Sequence, residues 1–261
     1  MSVDDGLSFD RIAGSYDETR GGTDRARATA ADLAPHLPGG DLLEIGVGTG
    51  IVSRALLDTR TTDARADVRI AGVDLSPQML SVARGRLPGL LVRGSALRLP
   101  FAGASFDGVV AVHVLHLVAD LGTTLREAAR VLRPGGRMVA VHGRPQHERD
   151  DDLSRLLRPL RLASRSRNDS PEEVRAAAGA AGLRCVDQHP AAPRSADVSP
   201  AQVADGVEGR LWSFLWDLDD ATWQAEVVPV VDALRSLPDP DRPRHQVSRT
   251  TVSVLERPRT S

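Results

Sequence analysis

The sequence predicts an α/β fold, a mostly parallel sheet covered by helices on both faces. Three observations predict it. Short apolar runs alternate with helical stretches from about residue 23 to residue 142. Most of these runs are near-continuously apolar, as strands buried on both faces must be. One of them leads through a glycine-rich loop into a helix, Glu44-Ile45-Gly46-Val47-Gly48-Thr49-Gly50.

The elements follow in order. Residues 23–35 read as a helix rich in Ala and Arg, ended by Pro35, and Pro38-Gly39-Gly40 as a turn. Residues 41–45 form the first strand, 46–50 the loop and 51–57 a helix. A polar surface loop covers 59–67 and the second strand 68–74. Ser76 and Pro77 start the next helix as N-cap and first helical residue. The third strand is 89–93, the fourth 106–112, and a helix lies near 122–132. Pro134-Gly135-Gly136 is a turn before a fifth strand at 137–142. The pattern then changes. Residues 143–168 are rich in Arg and Asp, with Leu153, Leu156, Leu157 and Leu160 at helical spacing. Ser170-Pro171-Glu172-Glu173 is a strong helix start, and that helix ends at Gly182. Residues 183–188 read as a strand, 195–237 as two or three helices, and 246–256 as the most strand-like segment of the chain. Strands on both sides of 195–237 suggest an insertion into one sheet domain.

Composition narrows the function classes. The chain has 261 residues, 41% hydrophobic, enough for a sizeable core. Its 33 basic and 35 acidic residues nearly cancel, which argues against nucleic acid and anionic membrane surfaces as partners. Every basic residue is Arg, so no lysine can act as a phosphate clamp, Schiff base or general base. The single cysteine, Cys185, excludes an internal disulfide and a cysteine-based metal centre, and it reads as a buried structural thiol. The N-terminal MSVDDGLSFD lacks a signal-peptide core and no apolar stretch reaches a membrane span, so a cytoplasmic protein is expected. Of eight aromatic residues, Trp212, Phe214, Trp216 and Trp223 crowd into twelve positions.

The glycine loop points to a nucleotide-like ligand. Glycines let the backbone pass close to it, and the following helix offers free N–H groups. The spacing is not that of a dinucleotide fingerprint: the third glycine comes one residue early and Ile51 holds its place. Asp74, at the end of the next strand, stands where a ribose diol would be held.

The blocks LLEIGVGTG, GVDLSPQML, RGSALRLPFAGASFDGVVAVHVLHLV and LREAARVLRPGGRMVAV resemble the successive motifs of class I S-adenosylmethionine-dependent methyltransferases, in the small-molecule branch. The resemblance covers roughly residues 7–142. It implies a Rossmann-like, doubly wound sheet of seven strands, the last antiparallel. The segments 143–168 and 195–237 would be helical cap insertions on the acceptor side of a single domain. S-adenosylmethionine would be the cofactor. Glu44, Gly46, Gly48 and Gly50 would surround its methionine and ribose parts, and Asp74 would hold the ribose hydroxyls. Leu75 and Met79 would line the adenine, and Ser95, Ala96 and Leu97 would hold its edge. Ser95 departs from the family, where an Asp is common. Ala111 would sit beside the methionine end. Tyr16 lies in a segment resembling the one that folds over the cofactor.

Methyl transfer needs an aligned nucleophile, and a base only where the nucleophile carries a proton. His113 and His142, at strand ends, are the candidates for catalysis. His116 could share a helix face with His113; a metal on that pair lacks a third ligand, so no metal is expected. Arg144 and His147 lie just beyond the fifth strand and could gate the site or form a solvated loop. His116 and Arg144 are candidates for acceptor contact, with a structural role in the VLHL segment the alternative for His116. Residues 211–217 read as a helix with Trp212 and Trp216 on one face. Those two residues are candidates for acceptor contact, with core packing and a dimer interface as competing roles. The Arg-rich run 155–167 is a solvated face or a recognition site for an anionic acceptor. The expected partner is a small-molecule acceptor, methylated on oxygen, then nitrogen, then carbon, by a monomer or homodimer. The alternatives are a nicotinamide-dependent oxidoreductase and a non-catalytic S-adenosylmethionine-binding module.

Overall fold

A computed structural model describes residues 5–14, 16–60, 68–163, 169–216 and 218–259. The chain opens with helices α1 (Asp5–Ile12), α2 (Tyr16–Thr19) and α3 (Gly22–Leu33). Strand β1 (Gly40–Ile45) leads to α4 (Ile51–Arg60), β2 (Val68–Asp74) to α5 (Pro77–Arg84), then come β3 (Leu91–Arg93) and β4 (Phe106–Val112). Helix α6 (Leu121–Val131) runs into β5 (Leu132–His147), followed by α7 (Asp152–Ala163), α8 (Pro171–Ala180), β6 (Arg184–Pro190) and β7 (Arg194–Val198). Helices α9 (Pro200–Glu208), α10 (Asp220–Thr222) and α11 (Val228–Arg235) precede the last strand, β8 (Arg244–Glu256).

The strand order is 3-2-1-4-5-8-6, with β7 paired to β8 off this path, so among the described residues the sheet has eight strands, not seven. The β1–β2, β1–β4, β2–β3 and β4–β5 pairs are parallel, and β6–β8 and β7–β8 are antiparallel. After β3 the chain crosses back to the other side of β1. A crevice therefore opens between β1 and β4 at their carboxyl ends, where Ile45 is level with Ala111.

The chain packs as two compact units, Met1–Arg144, Asn168–Ala192 and Thr250–Ser261 in one, Pro145–Arg167 and Pro193–Arg249 in the other. In the first, alternate strand residues feed opposite cores. Leu43, Ile45, Val109, Ala111, Met138 and Ala140 face α6 and α8. Leu42, Val110, Val139 and Val141 face α3 and α4. A two-residue side-chain period puts neighbours on opposite faces, so a strand buried on both must be apolar throughout. In the second unit, Leu153 and Leu160 of α7 pack with Val203 and Val207 of α9 and Val230, Val231 and Leu234 of α11. No helix among the described residues is long and apolar enough to cross a membrane.

Helix starts follow the capping residues. Ser76 Oγ accepts from the Met79 N–H at 3.0 Å, and Asp120 from Thr123 at 2.9 Å. Ser170 and Glu173 form a reciprocal capping box at α8, as Ser199 and Gln202 do at α9.

Several expectations are corrected. The Pro134–Gly136 turn is an irregularity inside β5. Gly135 N donates to Arg257 O at 2.8 Å and Arg257 N to Gly136 O at 2.9 Å, so the segment stays paired. Residues 143–147 continue that strand rather than starting a helix. The helix begins only where Asp151 accepts from the Ser154 N–H at 2.8 Å. The third strand starts at Leu91, after Pro88-Gly89. Residues 194–198 form a strand that pairs with Arg244–Ser248. Residues 211–216 hold a 3₁₀ turn, Ser213–Leu215, rather than the helix expected over 211–217, and residue 217 lies outside the described residues. Arg210 ahead of it has φ of +49°, which no helix continues through, and Trp216 Nε1 donates back to Arg210 O at 2.7 Å. Cys185 is half-buried on β6 rather than buried. The 59–67 loop is helical through Arg60, and its remainder lies outside the described residues.

The capping box at α8 gives a direct test. Ser170→Ala is expected to cost about 1 kcal/mol of unfolding free energy in a urea titration, and Ser170→Asp to keep most of it. Equal midpoints for Ser170→Ala and the natural protein would show that the cap carries no weight.

Candidate cofactor-binding site

The carboxyl ends of β1, β2 and β4 bring one set of sequence-picked residues together. Gly46 N and Val47 N donate to Val73 O at 2.8 and 3.1 Å, which lays the glycine loop across the end of β2. Gly46 has φ of +68°, and a Cβ there would come within 2.5 Å of Val114 Cγ2. Gly48 has φ of +54° with nothing within 4 Å of its missing Cβ. The first glycine thus lets the loop pass a side chain, and the second opens space.

Asp74 closes the cradle. One carboxylate oxygen accepts from Gly48 N at 2.8 Å and the other from Ser76 N at 2.9 Å. Burial raises its pKa, and the bonds from Ser76 and Gly48 pull the other way. Glu44 lies on β1, 2% exposed, and accepts from Ser53 Oγ. Burial pushes it up to about 8, against the Ser53 hydroxyl, with Asp74 adding repulsion. Without a cation beside it, Glu44 therefore carries its proton at neutral pH. Leu75, next to Asp74, is 50% exposed, whereas Met79 is buried in α5. Ser95 Oγ accepts from Leu97 N at 3.2 Å, Ala96 is half-buried against the core, and Ala111 is fully buried at the end of β4.

Other residues at this end escaped the sequence reading. Asp10 of α1 accepts from Ser76 Oγ and from Gln78 N at 3.3 Å. Asp17 of α2 accepts from Thr49 Oγ1 and pairs with Arg86, both at 2.6 Å. Arg86 also donates to Thr49 O at 3.0 Å. The N-terminal helices are thus latched to both motif loops. Tyr16 stands at the start of α2, 6.1 Å from Phe9 edge-on, with Arg20 5.5 Å above its ring. The signal was present as Asp10 and Asp17 in the segment picked for Tyr16, but their partners lie far along the chain.

The histidines separate. His113 follows β4 with φ of +51°, a conformation uncommon outside glycine, held by its N–H to Val141 O at 2.8 Å. Its Nε2 lies 3.3 Å from Arg25 Nη2 of α3. His116 sits in a 3₁₀ turn, Leu115–Leu117, so no helix face joins it to His113; its Nδ1 is 3.8 Å from Asp169 Oδ2. His142 is fully buried: Nδ1 donates to Asp169 O at 2.8 Å and Nε2 accepts from Ser253 Oγ at 2.7 Å. Gln188 Nε2 donates to the same hydroxyl at 2.8 Å, which completes the chain of donors, and burial lowers the His142 pKa.

Arg144 is half-buried on β5, just past His142, and His147 ends that strand. Arg155 and Arg158 of the Arg-rich run are exposed, and residues 164–168 lie outside the described ones. Trp212 and Trp216 belong to the helical unit. Trp212 stacks on Phe214 with ring centroids 6.1 Å apart and packs with that unit's core, and Arg210 lies 4.0 Å above Trp223.

A family model described as a methyltransferase domain matches residues 43–140. A demethylmenaquinone methyltransferase from Parafrankia sp. (strain EAN1pec) is 34% identical over 211 residues, 67% of this chain and 80% of that protein. An O-methyltransferase from Pyrenophora dematioidea is 32% identical over 162 residues, 58% of this chain and 57% of its own. Of several further demethylmenaquinone methyltransferases the chain spans only 55–56% of the length. Among solved structures, the [4+2]-cyclase SpnF shares the fold at TM-score 0.61 and 20% identity, over 100% of this chain and 97% of that one. With the glycine cradle, the paired carboxylates and the 3-2-1-4-5 sheet beneath them, these likenesses lead to one conclusion: the chain belongs to the class I S-adenosylmethionine-dependent methyltransferases.

Proposed function

We propose that the chain transfers a methyl group from S-adenosylmethionine to a small-molecule acceptor, at a hydroxyl oxygen. The observation that carries this reading is the cradle at the β1/β4 crevice, where Gly48, whose N–H bonds the half-buried Asp74 carboxylate, leaves open space and the buried Glu44 carboxyl feels the Asp74 charge. The cradle fits the cofactor. Acidic groups that burial leaves short of solvation suit a cationic sulfonium and ammonium, and exposed Leu75 offers an apolar surface to a planar base. When bound, S-adenosylmethionine supplies an electrophilic methyl carbon on sulfur.

The chain's own residues then do the following. The Gly48 and Ser76 N–H groups fix the Asp74 carboxylate toward the ribose hydroxyls. Glu44, its proton passed to solvent, would face the cationic end of the bound cofactor as a carboxylate. Helices α1 and α2, latched through Asp10 and Asp17, exclude water. His113 orients the acceptor and takes the hydroxyl proton, and its left-handed backbone aims the ring at Arg25. His142 is assigned to scaffolding, since both its ring nitrogens are engaged inside the fold. The name of the O-methyltransferase relative supports a hydroxylated acceptor.

Calorimetry with S-adenosylhomocysteine is expected to show binding that falls at least about tenfold in Asp74→Ala, on the order of 1.4 kcal/mol. Tight NAD(H) binding in its place would overturn the assignment. Mass spectrometry of a panel of phenols, quinols and amines should detect S-adenosylhomocysteine with a hydroxylated acceptor, and turnover of amines alone would sink the oxygen assignment. In that assay His113→Ala should lower kcat by roughly 10²-fold, while unchanged kcat would leave positioning as the whole of catalysis. Glu44 supplies a pH test on the ligand-free protein. Its folded pKa of about 8 lies above the ordinary value, so its contribution to stability is fully present below about 4.5 and is lost as pH rises through about 8. Relative to Glu44→Gln, the natural protein should lose on the order of 5 kcal/mol across that window in urea titrations at fixed pH. A constant difference between the two would contradict the buried, protonated carboxyl.

A further inference from the structure

Outside the cradle, one group of side chains has the makeup of a ligand set. His36 closes the 3₁₀ turn Ala34–His36 ahead of β1, stiffened by Pro35 inside it and by Pro38 just after. Asp187 and His189 lie two residues apart on β6, so they share one face of that strand. Gln188 between them turns to the other face and bonds Ser253 Oγ and Pro171 O. The pairing of Asp187 with Val254 and of His189 with Val252 fixes this register.

The geometry points to a binding site for one divalent cation of the zinc class on His36, Asp187 and His189. One ligand atom from each falls within 4.8 Å of the others. His189 Nδ1 and Asp187 Oδ2 are 3.1 Å apart, the separation of two neighbouring ligands on one ion with bonds of about 2.0–2.1 Å. The His36 and His189 rings stand 5.1 Å apart, centre to centre, tilted by 45°. Half-exposed side chains close the remaining gap by small rotations. Two imidazoles and a carboxylate suit Zn²⁺ and its neighbours rather than Mg²⁺ or Ca²⁺, and they leave a coordination position for water. Asp32 of α3 adds a second carboxylate near His36, and its oxygens accept from Ala192 N at 3.3 Å, just past the end of β6. Arg137, the opposing charge nearby, pairs with Glu256 at 3.4 Å. A bound ion would clamp the turn before β1 to strand β6, two segments some 150 residues apart in sequence.

A surface His–Asp pair alone is not a metal site, and the chain supplies the comparison. His245 and Asp197 pair at 2.9 Å on an exposed surface and form no such three-residue group among the described residues. The test is calorimetric titration of the full chain with ZnCl₂, and with CoCl₂ followed by visible absorption. One-to-one Zn²⁺ binding is expected, with visible Co²⁺ bands from nitrogen and oxygen ligands. Affinity should fall at least about tenfold in His36→Ala and in His189→Ala and stay unchanged in His245→Ala. His189 is half-exposed, so His189→Ala should keep the natural circular-dichroism spectrum and melting curve, and it decides the matter even where His36→Ala does not fold. Zn²⁺ binding as tight in His189→Ala as in the natural chain, or no one-to-one binding by the natural chain, overturns the site.

Discussion

A sheet buried on both faces has almost nowhere to put polar groups except at its edges and its strand ends, and this constraint organises the molecule. Leu42 and Leu43 are adjacent and both fully buried, one in each core. Glu44 is one exception inside a strand, as the hydrogen-bonded His142 and Ser253 are on β5 and β8. It sits one residue before the end of β1, where the fold is about to open into the glycine loop. Its proton and the Ser53 hydroxyl make the placement tolerable, because a charged carboxylate there would cost far more. The same constraint explains the scarcity of aromatic residues. Interleaved Leu, Val, Ile and Ala fill both layers of the sheet unit, and the tryptophans are left to the helical unit.

The proposed cradle holds two carboxyls that burial leaves short of solvation. Asp74 receives two backbone N–H groups, and desolvation still keeps its pKa above the ordinary value. Glu44 receives one hydroxyl and stays protonated at neutral pH. Both groups are therefore short of the solvation that a cationic, hydroxyl-bearing ligand would restore. The N-terminal helices reinforce this by holding the glycine loop and the α5 cap with Asp10 and Asp17, two carboxylates that draw their partners from separate motifs. His142 shows the reverse economy: a buried imidazole with every nitrogen engaged holds β5, β8 and the start of α8 in register.

By itself the sequence determined the strands of the parallel sheet, most helix starts and the glycine loop between β1 and α4, because each rests on local chemistry. Residues 68–74 and 106–112 are strands as read, since a continuous apolar run of that length fits a doubly covered strand. Ser76, Ser170 and the acidic first turn of α8 are capping signals that act within four residues. What only the tertiary structure decided depends on partners distant in the chain. Strand β7 exists because β8 offers it an edge, and the Pro134–Gly136 turn stays within a strand because Arg257 pairs with it. The tryptophan segment has helical spacing, yet Arg210 turns left-handed before it and the indole of Trp216 bonds back, so no helix forms. His113, His116 and His142 look alike in sequence, and long-range contacts separate them into a strained strand-end residue, a residue in a short turn and a core linchpin. His36, Asp187 and His189 become neighbours only because the chain folds. Hydrogen bonds and burial across a hundred or more residues carry no local pattern, so these assignments could not be read before the fold was known.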